Sequence, residues 1–428
     1  MYYGSSSHSR RLLLLLAVAL LCILPLFFKD ELVEKYQDGG WKAYLSESTD
    51  SALPAILLPA LEPVVFAFMI WSRGSAEEGA QLIKSILLYN SSPTEIHIAC
   101  DDDSRIYLES RLKLVTHPQH DVHVVFYPIT VQDMLDRIER EGSIKTDHEA
   151  GTPGLMKLFL HELMPTVNKA IYVDTDALFI ADPTILWRVF DTFRPSTAIA
   201  MGYHPEQMAH AWHYASRICS CIMLLDFEKL REQRLMDSRL YKDGKAALSP
   251  PAFRAMYGEP AGPDGRYDNV KLGDQGFWWA IVDHMPEIFE PLSYDFEVSS
   301  CLVETYNTGL VGADDMTEKE ELASMMHTEK TPMEGKPVRP KLLHFNCLRA
   351  ETYMEWDGWN DPTDALNRKW GAAVKYHTGY KWAGSTGPQA TRMQERPATV
   401  EVSTIPKIEF YDQQQQHRIA GTDETPEH

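Results

Sequence analysis

The most informative stretch of the sequence is Lys169-Ala170-Ile171-Tyr172-Val173-Asp174-Thr175-Asp176. It is an apolar strand that ends in two aspartates separated by one residue, and the alternation of side chains in a strand places both carboxylates on one face. Two adjacent carboxylates repel each other, so a bound cation would stabilise the pair. A D-x-D triplet alone is a weak signal, and the second one, Asp101 to Asp103, is interpreted as the start of a solvated loop.

Short apolar strands alternate with helical patterns on both sides of this stretch. The strands are predicted at Val64–Trp71, Ile96–Cys100, His123–Tyr127 and Ala170–Val173. Helices are predicted from Ser75 to Tyr89, from a capping box at Thr130, over Met156–Met164, and from Asp182-Pro183 toward Phe190. This alternation predicts an α/β sandwich with a largely parallel sheet, and such sheets bind ligands beyond the carboxyl ends of their strands.

The overall charge excludes one class of partner. The chain has 428 residues with 41 Lys and Arg against 61 Asp and Glu, a formal net charge of −20. Such an acidic protein lacks the basic surface that nucleic acids require, so no nucleic-acid partner is expected. A phosphate-bearing ligand would need a metal cation between it and the protein.

The ends of the chain are predicted to lie outside the folded part. Residues 12–28 form an uninterrupted apolar run that follows Arg10 and Arg11, which predicts a signal-anchor transmembrane helix after a cytosolic tail of residues 1–11. A cleaved signal peptide is the alternative. We further expect an acidic stem over 29–62, one folded domain over 63–385 in the lumen, and a disordered tail over 386–428 that contains Gln413 to Gln416.

Cysteine usage fits a secretory compartment. Cys22 lies in the apolar run, and five cysteines remain, namely Cys100, Cys219, Cys221, Cys301 and Cys347. Because five is odd, at least one thiol is free or bonded to another chain. Cys219 and Cys221 are two residues apart in a predicted strand, and we expect them to be too far apart to pair. Asn90-Ser91-Ser92 is a lone glycosylation sequon.

Three further motifs follow the order of a known family. Lys157 lies in the helical segment Gly154–Phe159, Asp274-Gln275-Gly276 opens a later helix, and His344 ends the late strand Lys341–Phe345. Together with the D-x-D, this order resembles that of the family 8 glycosyltransferases. The nearest-looking branch contains the LARGE-type enzymes and the glucoside xylosyltransferases, and the resemblance covers about residues 63 to 350.

The resemblance implies a GT-A fold, which is a Rossmann-like three-layer sandwich with a mixed sheet, and transfer of a sugar with retention of configuration. The donor would be a UDP-sugar, with xylose as the sugar of the nearest branch, and the acceptor a glycan or glycoprotein. The enzyme would be a type II protein of the Golgi or ER membrane. Mn²⁺ is the implied metal, because two carboxylates and one imidazole suit it better than Mg²⁺ or Ca²⁺.

The same resemblance implies roles for individual residues. Asp174 would contact the donor ribose or the metal, and Asp176 and His344 would ligate the metal. Lys157 and Arg349 would bind the donor phosphates, and Trp71 would replace the usual tyrosine against the uracil. Asp274 and Gln275 would act at the donor sugar, with Lys157 as the third catalytic candidate. Gln275 has no ionisable group, which favours front-face attack by the acceptor over a covalent intermediate.

One departure leaves other functions open. The family often has N-x-G on the strand after the D-x-D, but Ile218–Ile222 stands there and contains Cys219-Ser220-Cys221. A similar motif, Tyr306–Gly309, comes too late in the chain. An inactive transferase fold that acts as a binding module is therefore one alternative. The other is an aspartyl-phosphate phosphatase, with Asp174 as nucleophile, Asp176 as acid/base and Asp314-Asp315 as the later acidic pair.

Overall fold

The computed structural model describes residues 61–301, 330–379 and 397–422, and residues 317, 319, 320, 323 and 382 between these ranges. Its contacts divide the chain into residues 1–60 and residues 61–428. The predicted anchor at 12–28, nearly all of the predicted stem, and the segments 306–309 and 314–315 lie outside the described residues. Among the helices that the structure describes, none has the length and apolar character needed to span a bilayer.

The described residues form a large eight-stranded sheet with the order β11-β3-β2-β1-β4-β7-β6-β8. The strands are β1 Val64–Ile70, β2 Thr94–Cys100, β3 Val122–Pro128, β4 Lys169–Val173, β6 Ile199–Tyr203, β7 Ile218–Asp226, β8 Phe289–Leu292 and β11 Val400–Thr404. Only β7 runs antiparallel to its neighbours. The predicted α/β fold with a mixed, largely parallel sheet is confirmed.

A second sheet of three short strands positions the site. It contains β5 Ala177–Phe179, β9 Val298–Ser299 and β10 Leu342–His344, with β10 in the middle. β10 runs antiparallel to β5 and pairs His344 with Ala177. The Phe345 amide donates to the Asp176 carbonyl at 2.9 Å. This register brings the late histidine next to the D-x-D, although His344 follows Asp176 by 168 positions in the sequence.

Helices cover both faces of the large sheet, where two apolar cores form. Their bounds are α1 Arg73–Tyr89, α2 Asp102–Leu112, α3 Val131–Glu141, α4 Gly151–Leu155, α5 Leu160–Leu163, α6 Thr184–Trp187, α7 Phe227–Glu232, α8 Ser249–Tyr257, α9 Asp274–His284, α10 Ala365–Gly379 and α11 Tyr411–Thr422. Short 3₁₀ turns at Met156–Phe159 and Arg188–Thr192 break two predicted helices. The capping box at Thr130 is confirmed, but Asp101 caps α2 instead of opening a loop.

The prediction of a disordered C-terminal tail is wrong over the described residues 397–422. β11 extends the large sheet by pairing in parallel with β3. In the next segment the buried Asp412 carboxylate accepts bonds from the Arg140 guanidinium at 2.7 and 3.1 Å and from the Ser238 hydroxyl at 2.7 Å. The sequence pattern did not predict this ordered segment, because its order comes from strand pairing and a buried ion pair and not from apolar periodicity.

Two expectations about surface chemistry also change. The side-chain amide of Asn90 is buried and donates to the Ser92 carbonyl and the Thr94 hydroxyl at 2.9 and 2.8 Å, so the sequon is not presented as an accessible acceptor. Cys301 and Cys347 form a disulfide, and so do Cys219 and Cys221, whose Cα atoms are 5.4 Å apart. Among the described cysteines, Cys100 alone is unpaired, which agrees with the odd count.

A bulge in β7 explains the pairing of Cys219 with Cys221. Met201 of β6 lies opposite Met223, but the next residue, Gly202, lies opposite Cys219. Between these two pairs β7 therefore advances by four residues, while β6 advances by one. A bulge bends and shortens a strand locally, which brings the two cysteines closer than an extended strand would allow. Sequence periodicity does not reveal such a bulge.

Candidate active site

The two aspartates of the D-x-D occupy the end of β4, where the main sheet passes into the small one. Asp174 accepts a hydrogen bond from the Tyr172 hydroxyl at 2.6 Å, and its backbone amide donates to the Cys221 carbonyl at 2.7 Å. Both aspartates are half-buried and line a cavity of about 1010 Å³. Their carboxylates therefore face a space large enough for a nucleotide-sized ligand.

Lys157 lies between two carboxylates. Its ammonium is 2.8 Å from the nearer oxygen of Asp174 and 3.4 Å from Asp274 Oδ1. Burial alone would lower the pKa of Lys157, but the charges of Asp174 and Asp274 raise it well above its ordinary value, so the lysine stays protonated. Burial raises the pKa of Asp274, and Lys157 opposes that rise. The structure thus brings together three residues that are far apart in the sequence.

His344 and Asp176 form the other half of the site. His344 Nε2 is 3.5 Å from Asp176 Oδ1, and His344 is 2% exposed. Burial opposes the charge of His344, but Asp176 and Asp174 raise its pKa above the ordinary value. The imidazole in turn lowers the pKa of Asp176 against the effect of burial. Each group therefore favours the charged form of the other.

This set of residues fits a divalent metal. One ligand atom from each of Asp174, Asp176 and His344 lies within 4.8 Å of the others. These three side chains would hold a divalent cation, whose charge would offset the repulsion between the two aspartates. Two carboxylate oxygens and one imidazole nitrogen are ligands that suit Mn²⁺. The donor chemistry, the spacing and the repulsion between the aspartates all agree with a bound cation.

Asp274 and Gln275 enter the site from the start of α9. Gly273 precedes them with φ +60°, and a β-carbon there would lie 3.2 Å from the His148 ring, so glycine permits this turn. The side-chain amide of Gln275 donates from Nε2 to the Ala215 carbonyl at 2.9 Å, which fixes the orientation of the side chain. Both residues line the cavity.

The two remaining donor-binding candidates differ. Trp71 follows β1, is half-buried and lines the same cavity. Arg349 is exposed and is not among the residues of the described chain that line this cavity. The structure therefore brings Trp71 to the candidate site and leaves Arg349 outside it.

Glu78 lies close to the D-x-D, a position that sequence reasoning did not indicate. One of its carboxylate oxygens accepts from the Tyr353 amide at 2.7 Å and the other from the Thr175 hydroxyl at 3.4 Å. Burial raises the pKa of Glu78 to about 8, and the charge of Asp176 adds to the rise. The available signal was helical spacing, because Ser75 lies three residues earlier and also contacts Thr175, at 3.3 Å.

Glu297 and the Cys219–Cys221 pair form a second group that the sequence did not indicate. Glu297 is 1% exposed, and its Oε2 is 2.8 Å from His204 Nε2. It packs against Gly202, where any β-carbon would collide with the carboxylate. Glu297, Cys219 and Cys221 line the cavity, as does His344. No motif marks Glu297, because its position depends on the pairing of β9 with β10.

Sequence relatives of the chain are glycosyltransferases, although no family model matches it. The xylosyl- and glucuronyltransferase LARGE2 of Mus musculus is 30% identical over 160 residues, which cover 37% of this chain and 22% of that protein. Glucoside xylosyltransferase 1 of Rattus norvegicus is 22% identical over 240 residues, 53% of this chain and 51% of that protein. The chain thus spans about a fifth of the LARGE relatives and half of the glucoside xylosyltransferase.

Solved structures with a similar outline are also glycosyltransferases. Mouse xyloside xylosyltransferase 1 is 17% identical with a TM-score of 0.46, over 67% of this chain and 99% of that one. The galactosyltransferase LgtC is 14% identical with a TM-score of 0.46, and the match covers 76% of this chain and 98% of LgtC. The sequence matches confirm the predicted resemblance to the LARGE-type and glucoside xylosyltransferases, over 37% and 53% of this chain.

Proposed function

We propose that this protein is a glycosyltransferase of the GT-A type that transfers a sugar from a UDP-sugar to a glycan or glycoprotein, with Mn²⁺ and with retention of configuration. The observation that carries the proposal is the convergence of Asp174, Asp176 and His344 from two sheets at the floor of one cavity. The xylosyltransferase relatives favour xylose as the donor sugar.

The charge of the cavity supports a metal-dependent donor. Among the described residues that line the cavity, Lys157 is the single lysine or arginine, against five carboxylates, those of Glu149, Asp174, Asp176, Asp274 and Glu297. A diphosphate entering this cavity without a cation would be repelled. Mn²⁺ held by Asp174, Asp176 and His344 would supply positive charge that stabilises the diphosphate as it leaves.

The chain's own residues would position the donor. Lys157 holds Asp174 in place through its 2.8 Å contact, so its role in the free protein is to fix the D-x-D as well as to add charge near the phosphates. Gln275 has no acidic proton and is tethered to Ala215, which suits it to orient the sugar during front-face attack. Trp71 offers an aromatic face for the uracil.

The secretory assignment remains part of this proposal. An anchor over residues 12–28 would place the folded domain in the lumen of the Golgi or ER, as a type II membrane protein. The two disulfides fit an oxidising compartment. Arg349 stays a candidate for the diphosphate only if the donor reaches beyond the cavity.

A donor screen tests the proposal. The full chain is incubated with UDP-xylose, UDP-glucose, UDP-galactose or UDP-glucuronic acid, in Mn²⁺ or in EDTA, and released UDP is measured. We expect release with one donor in Mn²⁺, and a loss of at least about a hundredfold in Asp176→Asn, which keeps the side-chain shape but removes the charge. Equal release in EDTA or in Asp176→Asn would overturn the metal-dependent mechanism.

The same preparation separates the two alternatives. A binding module would bind UDP but release none from any donor. A phosphatase would hydrolyse a phenyl phosphate ester and would lose that activity in Asp174→Asn. The geometry favours neither, since Asp174 is already bonded to Lys157 and Tyr172.

A further inference from the structure

A second group of potential metal ligands lies beside the proposed donor site. Cys219, Cys221, Glu297 and His344 each contribute one ligand atom to a group whose members all lie within 4.8 Å of one another. Cys219 is 9% exposed, and the other three are no more than 3% exposed. All four line the cavity, which gives an ion a path to them. Two of them, the cysteines, are bonded to each other as a disulfide.

The buried polar atoms of this group lack partners among the described residues. Glu297 Oε1 and His344 Nδ1 are buried and accept or donate no hydrogen bond there. A buried polar atom without a partner costs about 1–3 kcal/mol, so native proteins rarely retain one without a reason. Each atom belongs to a residue of a type that binds metals. This observation is independent of the cysteine spacing and points to a ligand.

We propose that reduction of the Cys219–Cys221 disulfide creates a zinc site formed by Cys219, Cys221, Glu297 and His344. Two sulfurs, one carboxylate oxygen and one imidazole nitrogen are a ligand set that suits tetrahedral Zn²⁺ and that the harder Mn²⁺ does not favour. Bonds of about 2.0–2.3 Å place tetrahedral ligands roughly 3.3–3.8 Å apart, so ligand atoms within 4.8 Å of one another need to approach by at most about 1.0–1.5 Å.

The chemistry balances with a dithiol as the reductant. The two thiols of the reductant become one disulfide and the Cys219–Cys221 bond is broken. The Sγ atoms of Cys219 and Cys221 each receive one proton from the reductant. Zn²⁺ then displaces both thiol protons and binds two thiolates. Cys219 and Cys221 both line the cavity, and their Cα atoms are 5.4 Å apart, so the thiols stay together after the bond is broken.

Sharing of His344 has a functional consequence, and this part depends on the proposed function. A neutral imidazole offers one lone-pair nitrogen, so zinc on His344 Nδ1 would leave the proton on Nε2, which faces Asp176, and Nε2 could not then ligate Mn²⁺. Zinc binding by the reduced chain would therefore suppress Mn²⁺-supported transfer, and oxidation would restore it. The thiol state of β7 would thus control access to the catalytic metal.

Zinc binding alone tests the site without reference to transfer. The full chain, oxidised or treated with a dithiol that is then removed without air, is dialysed against Zn²⁺ and its metal content is measured. Co²⁺ replaces Zn²⁺ in a parallel sample, because a thiolate-to-cobalt absorption band reports sulfur ligands directly. We expect about one more zinc per reduced chain than per oxidised chain, together with that band.

Matched variants identify the ligands. Cys219→Ser/Cys221→Ser should lose both the extra zinc and the band although Cys301 and Cys347 remain, and Cys100→Ser should keep both. Glu297→Gln should weaken binding by at least about tenfold and leave the band in place at high Co²⁺. Equal zinc content in reduced wild type and in Cys219→Ser/Cys221→Ser, or no thiolate band in reduced wild type, would overturn the proposal. Neither result depends on whether the protein transfers a sugar.

Discussion

Replacement of Lys157 by methionine tests the electrostatic design of the site. The substitution keeps most of the side-chain volume and removes the ammonium that lies 2.8 Å from Asp174 and 3.4 Å from Asp274. The side chains of Lys157 and Asp274 are only 10% and 7% exposed. Removing one partner of a buried ion pair costs about 3–5 kcal/mol, and the 26% exposure of Asp174 favours the lower end of that range. We therefore expect the free energy of unfolding to fall by about 3 kcal/mol at neutral pH.

The loss should depend on pH, and its sign follows from Asp274. Burial already raises the pKa of Asp274 in the folded protein, and Lys157 opposes that rise. Without Lys157 the folded-state pKa rises further above the unfolded value. A carboxyl group of this kind costs stability as the pH rises from its unfolded pKa to its folded pKa. The deficit of Lys157→Met relative to wild type should therefore be smaller at pH 5 than at pH 7.5.

Urea unfolding followed by tryptophan fluorescence measures the deficit at both pH values. The matched control is Lys145→Met, because Lys145 is 3.4 Å from Asp264 but the two side chains are 36% and 49% exposed. An exposed pair of this kind contributes no more than about 1 kcal/mol. If Lys157→Met loses no more stability than Lys145→Met, or loses more at pH 5 than at pH 7.5, the buried-pair reasoning is refuted.

Three further predictions concern the metal ligands and the C-terminal segment. Asp176→Ala should abolish UDP release and lower the Tm, because His344 loses the carboxylate that favours its charged form against burial; UDP release at the wild-type rate, or a higher Tm, would contradict this. In wild type the apparent Mn²⁺ affinity should fall as the pH drops through the raised pKa of His344, starting above pH ~6.5, and Mn²⁺ titrations of His344→Asp should lack this dependence. Asp412→Asn should cost about 3 kcal/mol in urea unfolding, since Arg140 would lose its buried partner; a change below 1 kcal/mol would mean that β11 and its following segment add little.

The sequence predicted the parts of this site that come from continuous motifs. The D-x-D, Lys157, the Asp274-Gln275 pair and His344 all reach one cavity. The central strands were also predictable, because buried parallel strands appear as short apolar runs. His344 could be placed beside the D-x-D only through the family resemblance, since the register of β10 on β5 is not visible in local periodicity.

The features that sequence reasoning missed depend on long-range pairing. β11 has little apolar character, and its order comes from pairing with the edge of a sheet that already exists. The Cys219–Cys221 pairing depends on a bulge between β6 and β7. Glu77 forms a surface pair with Arg73 at 2.6 Å, whereas the adjacent Glu78 contacts Thr175 and the Tyr353 amide. Spacing within a helix distinguishes these two acids only when the direction of the core is known.

The central claim is that a divalent cation at Asp174, Asp176 and His344 links an acidic cavity to a nucleoside diphosphate. Isothermal titration of UDP into the full chain tests this most directly, in Mn²⁺ and in EDTA, for wild type and Asp176→Asn. We expect UDP binding by wild type in Mn²⁺, and a loss of at least about a hundredfold both in EDTA and in the variant. UDP binding of equal strength in EDTA, or in Asp176→Asn with Mn²⁺, would contradict it.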